Sequence, residues 1–186
     1  MIKFNIQNLE PGLILAGRDV HGIYGKAIRA TLGSYTNHDG LIVYYQGQWY
    51  VAEAVIPKSR LTPLAEYEQK MNEKGYICRV WRVKNATGSE REKAQAIFIN
   101  ELLGLKYANY SIGKLAIFRL INNLPWRLSI KGVFCSELVW QAWTGAKHGI
   151  LNRPDGKTKQ NPTPRTLENR LVAGVLQDVT DSCIKT

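Results

Sequence analysis

Three side chains have the types and placement that nucleophilic catalysis requires: Cys135, His38 and Glu53. Phe134, Leu138, Val139, Ala142 and Trp143 fall at three- and four-residue spacings, which predicts a helix beginning near Cys135. At such a start, unpaired backbone N–H groups and the positive end of the helix dipole favour a thiolate over a thiol. The same groups, the Cys135 amide first among them, face the space where an attacked carbonyl oxygen would gain negative charge. Ser136 offers a second backbone N–H to that oxyanion position, while its side chain is expected to cap the helix. Glu137, in the first turn, reads as a charge that complements the dipole.

The imidazole and the carboxylate come from one hairpin. Residues 41 to 45 (LIVYY) and 48 to 55 (QWYVAEAV) are rich in β-branched and aromatic types, and Gln46-Gly47 between them suits a two-residue turn. Tyr45 then pairs with Gln48, and counting back along both strands sets His38 opposite Val55. Glu53 becomes the diagonal neighbour of His38 on the same sheet face, at a backbone separation of about 7–8 Å. A carboxylate at that position can orient an imidazole. Base and orienting group from a hairpin, with a nucleophile from a helix start, meet the requirements of a thiol hydrolase. Tyr35, three residues before His38, is a candidate for reaching the oxyanion or gating the pocket.

The elements around these residues mix helices with a mainly antiparallel sheet, an α+β pattern. Leu13 to Leu15 forms a short buried strand, and Gly25 to Gly33 brackets a small helix. Thr62-Pro63 opens a helix over 63 to 73, followed by a strand at 77 to 83. Ser89 with Glu92 reads as a capping box for a helix ending at Gly104, and residues 112 to 124 as a buried amphipathic helix. Thr163-Pro164 opens a further short helix before a final strand from Val172 to Val179.

A chain of 186 residues with 45% hydrophobic and 22% charged residues has the size and composition of one globular domain spanning 1–186. The amino terminus lacks the order of a signal peptide, and no apolar run approaches the roughly 20 residues that cross a bilayer, so a cytoplasmic protein is expected. Cys78, Cys135 and Cys183 show no C-x-x-C spacing, which speaks against a disulfide framework and a structural zinc site. His21 and His148 stand apart from these cysteines in the sequence and read as surface or turn residues. The sequence implies no metal site and no cofactor, lacking a metal cluster, a phosphate-cradling loop and a dinucleotide fingerprint. The net charge of +10, from 25 basic and 15 acidic residues, favours an anionic partner. The basic residues are scattered, which reads as a solvated surface, and nucleic acid is not the expected partner.

The segments SYTNHDGLIVYYQGQWYVAEA and GVFCSELVWQAW together resemble the permuted NlpC-type papain-like enzymes, in particular the YiiX-like branch. The likeness rests on a histidine at the start of one strand, a glutamate at the end of the next, and a cysteine in a Cys-Ser-Glu-Leu helix start. The resemblance implies a circularly permuted papain-like (NlpC-type) fold, with Cys135 as nucleophile, His38 as base and Glu53 as third member. Ordinary papain-like enzymes run cysteine before histidine, and here the histidine comes first. Weaker echoes are Leu13 to Ala16, Gly104 to Tyr107 and NPTPRTL. Asp39-Gly40 after the histidine, and ANYS after Tyr107, depart from the family pattern and bear on the substrate pocket.

The expectation is a cysteine amidase or peptidase acting on a small peptide or N-acyl amide, cell-wall peptides among them. Two alternatives stay open. The family also resembles lecithin retinol acyltransferases, so acyl transfer or lipid hydrolysis on the same fold is one. The other is a non-catalytic module that keeps the fold and uses its basic surface on nucleic acid. Oligomeric state is not legible in the sequence.

Overall fold

The computed structural model describes residues 1–107, 134–146 and 162–185. Its centre is a six-stranded antiparallel sheet in the order β5-β4-β3-β2-β6-β7, formed by β2 (Ile14–Asp19), β3 (His38–Tyr45), β4 (Gln48–Ala54), β5 (Ser59–Pro63), β6 (Tyr76–Val83) and β7 (Leu176–Asp178). A small second sheet pairs β1 (Lys3–Phe4) with β8 (Ile184–Lys185). The helices are α1 (Ile23–Leu32), α2 (Leu64–Glu73), α3 (Gly88–Ile97, continued by a π-helical turn over Phe98–Leu102), α4 (Cys135–Gly145), α5 (Pro164–Val172) and the single turn α6 (Thr180–Cys183).

The large sheet is covered on both sides. Ile14, Ala16, Leu41, Val43, Ala52, Ala54, Trp81 and Val83 form one inner face, packed against Ala94, Ile97 and Phe98 of the α3 region and Leu138, Val139, Ala142 and Trp143 of α4. Leu13, Leu15, Ile42, Val51 and Val80 form the other, against Leu64, Tyr67 and Met71 of α2. Two buried faces explain why β3 reads as an unbroken apolar run. The turn between β3 and β4 has Gln46 at φ 49° and Gly47 at φ 79°, the two left-handed residues a tight hairpin turn needs. Tyr45 pairs with Gln48 and Gly40 with Glu53, the register expected from the turn.

Several boundaries differ from expectation. The capping box of α3 is Thr87 with Glu90, two residues before the Ser89–Glu92 pair. Thr87 accepts from the Glu90 amide and the Glu90 carboxylate accepts from the Thr87 amide. Both pairs satisfy the same sequence pattern, and packing of α3 selects between them. The final strand is only Leu176–Asp178, because Val172 ends α5, which Thr163 caps and Pro164 opens. The helix expected over 63 to 73 begins at Leu64, and Pro63 instead ends the edge strand β5. The helix expected over residues 112 to 124 and His148 lie outside the described residues.

Candidate active site

His38 is the first residue of β3 and pairs with Gly17 of β2, while Glu53 lies near the end of β4. The hairpin brings their side chains together, with His38 Nε2 and Glu53 Oε2 2.9 Å apart. The approach is close because position 40 between them is glycine, where a Cβ would stand 2.9 Å from Val51 Cγ1. Glu53 is 1% exposed and its second oxygen is also engaged. Oε1 accepts from Thr62 Oγ1 at 2.7 Å and from Arg60 Nε and Nη2 at 3.2 and 3.0 Å. Burial alone would push this carboxyl up, but the bond to His38, the His38 charge and the bonds from Thr62 and Arg60 hold it at about 2. An ionised carboxylate only accepts, so Nε2–H is the donor.

The other partner of the imidazole is the Cys135 thiol, through a side-chain hydrogen bond. Nε2 is committed to Glu53, which leaves Nδ1 for the sulfur. Cys135 opens α4, whose layer lies on the sheet face opposite to Glu53. His38 can serve both because it begins its strand and its ring sits at the end of the sheet. Burial disfavours the imidazolium, yet the bonds and negative charges of Cys135 and Glu53 together raise His38 to about 10. The imidazolium is therefore the favoured form of His38.

Around the sulfur, Tyr107 sets its ring edge-on to Phe134 with centroids 6.1 Å apart. Burial, and then the charge of Cys135, push the Tyr107 hydroxyl above its ordinary range. The first intrahelical bond of α4 runs from the Leu138 amide to the Phe134 carbonyl, so the Cys135 and Ser136 amides precede it. The Ser136 side chain does not cap the helix. It is buried and donates to the Pro162 carbonyl at 2.8 Å, tying α4 to the start of α5. Gln141 Nε2 donates to Glu137 Oε1 at 3.2 Å, consistent with a helix-surface role for Glu137.

Tyr35 is 42% exposed, with Arg18 stacked 4.4 Å from its ring centroid and Arg79 at 5.6 Å. Three residues near the site were not singled out from the sequence. Arg60 and Thr62 hold Glu53 from the unanticipated strand β5. Glu168 of α5 accepts from Ser34 Oγ (2.8 Å), the Tyr35 amide (3.1 Å), the Thr36 amide (2.7 Å) and Thr36 Oγ1 (2.9 Å), fixing the loop that leads into His38. The spacing of Thr62 and Arg60, alternate residues before a helix, was the available signal for a strand. Nothing local marks Glu168.

Cys78 and Cys183 are buried free thiols, and burial raises both, Cys78 to about 12. Among the described residues, no group of three or more His, Cys, Asp or Glu side chains could hold a metal ion, and no helix is long and apolar enough to cross a membrane.

No family model matches the chain, and no curated protein sequence matches it. Among solved structures it is similar to the metalloprotein YiiX from Escherichia coli O157:H7, at 21% identity and a TM-score of 0.52, over 91% of this chain and 96% of that one. At that identity the likeness is one of fold: helices packed on an antiparallel sheet in the YiiX-like arrangement. The metal of that protein has no counterpart donor set among the described residues of this chain.

Proposed function

We propose that this protein is a thiol amidase or peptidase that cleaves an amide through a thioester on Cys135. The observation that carries the reading is the single imidazole of His38, bonded to Glu53 on one side and to the Cys135 thiol on the other. In this reading the thiolate attacks the carbonyl carbon, and the new oxyanion is met by the Cys135 and Ser136 amides. The tetrahedral adduct collapses with cleavage of the C–N bond, and His38 Nδ1–H passes its proton to the departing amine.

Acylation removes the sulfur charge that raises His38, so the imidazole then serves as a base toward water. Water adds to the thioester, the acid leaves and the thiolate–imidazolium pair is restored. Glu53 keeps Nδ1 directed at the sulfur throughout and stabilises the imidazolium. Small peptides and N-acyl amides, including cell-wall stem peptides, are the substrate class, and a permuted papain-like chain order is part of the same reading.

The test is incubation with muropeptides, N-acyl amino acids and phospholipids in parallel, following new amines and released fatty acids by mass spectrometry. New amines from the amides, lost in Cys135→Ala, are the expected result. Fatty-acid release or acyl transfer with intact amides would replace this reading by that of a lipid-directed enzyme on the same fold.

A further inference from the structure

Arg18 has no carboxylate partner among the described residues, although it lies beside the candidate base. It follows Gly17, which pairs with His38, and pairs itself with Ile77 of β6. Its side chain shares a sheet face with Ala16, and so with Asp39 and Arg79, both of which pair with Ala16. That is the face on which the Cys135 helix packs. Arg18 Nε is buried without a hydrogen-bond partner, and the guanidinium rests on the ring of Tyr35 at 4.4 Å. Asp39 does not answer it, since neither Asp39 oxygen has a hydrogen-bond partner.

Tyr35 is an exposed aromatic residue with a fixed backbone. Glu168 takes the amides of Tyr35 and Thr36 together with two hydroxyls, so the ring is presented at one place beside the strand that begins with His38. Two of the charges nearby are already engaged. Arg79 pairs with Asp178 at 2.9 Å, and the Glu168 carboxylate is divided among four hydrogen bonds. The Arg18 guanidinium has no carboxylate partner among the described residues, and its Nε–H is buried without an acceptor.

We propose that Arg18, backed by the Tyr35 ring, is a subsite for a carboxylate of the amide substrate. A planar guanidinium presents two parallel N–H groups that match the two oxygens of a carboxylate, and stacking on an aromatic face fixes its plane. A single uncompensated charge fits a monoanion better than a phosphate dianion. The subsite rests on the proposed amidase reading, because it places the carboxylate of an acylated amino acid or peptide near the scissile bond. It gives the basic chain a chemical selectivity that net charge alone does not.

Two measurements separate the subsite from the nucleophile. The first compares alkylation of Cys135 by iodoacetate and iodoacetamide in wild type, Arg18→Gln and Arg18→Lys. Loss of the charge should lower the iodoacetate rate about fivefold and leave the iodoacetamide rate unchanged, with Arg18→Lys in between. An unchanged ratio in Arg18→Gln overturns the subsite even when Cys135 reacts well. The second holds whether or not Cys135 is reactive: the Arg18 Nε–H resonance is followed by NMR during titration with N-acetylglycine, N-acetylglycinamide and inorganic phosphate. A saturable shift with N-acetylglycine alone is expected. Shifts of equal size with the amide, or with phosphate, refute selection of a carboxylate, as does no shift at all.

Discussion

Glu53 and Asp39 are two buried carboxyl groups on opposite sheet faces, each close to His38, and they are in opposite states. Glu53 is 1% exposed and Asp39 0%. Burial pushes both upward, and the His38 charge pulls both down. Glu53 also receives four hydrogen bonds, from His38, Thr62 and twice from Arg60, and stays at about 2. Asp39 receives none, and burial, with a contribution from the Glu168 charge, leaves it at about 7. Partners, not depth, decide which carboxyl is charged. The charged one can hold an imidazolium, while the bare one carries an ionisation cost.

Removing the shared neighbour has the largest expected effect. His38→Ala should abolish turnover, as should Cys135→Ala, and the alkylation rate of Cys135 should fall to that of buried Cys78 and Cys183. Both carboxyls should then titrate higher, which carboxyl 13C NMR measures directly. A folded His38→Ala protein with full turnover would remove His38 from the chemistry. Glu53→Gln comes next, because the amide keeps a hydrogen-bond acceptor but loses the charge. Turnover should drop by about 10²-fold or more and remain measurable, and steady-state kinetics with a cleaved amide decides it.

The contrast sharpens at Asp39. Its carboxyl binds a proton in the folded state up to about pH 7, whereas its ordinary value is 3.8, so folding loses stability as pH rises between those two values. Asp39→Asn should therefore stabilise the protein by about 1–3 kcal/mol at pH 8 and change little near pH 4. Denaturant melts at the two pH values measure this, and an equal effect at both would exclude ionisation as the cost.

The smallest effect is the pH profile of the unmodified protein. The Glu53 contribution is complete above its ordinary 4.5 and disappears as pH falls toward about 2. The His38 contribution is complete below its ordinary 6.5 and disappears as pH rises through about 10. With the Asp39 cost growing from its ordinary 3.8 up to about 7, the melting temperature should be highest near about pH 4.5 and fall above it. A maximum above pH 8 would contradict both assignments.

The hairpin and its register were legible because they depend on local chemistry. Gln46-Gly47 admits a left-handed pair of residues, and the alternation of strand side chains then assigns His38 and Glu53 to one face without further information. The helix start at Cys135 was equally local, resting on apolar spacing. The partners of Glu53 were less accessible: β5 is only five residues long and contains Arg60, Thr62 and Pro63, a composition that reads as a loop until β4 pairs with it.

From the residues alone came an α+β chain, a histidine–glutamate hairpin and a cysteine at a helix start. Tertiary structure decided which groups meet. The Cys135 thiol reaches His38 because α4 packs on the far face of β3, and Glu168 reaches residues 34 to 36 because α5 docks beside them, across sequence separations that no periodicity encodes. It also decided that Asp39 lies buried without a partner and that Arg18 stacks on Tyr35. Charge state and free valence depend on burial and on the groups opposite, and those are set only once the layers close.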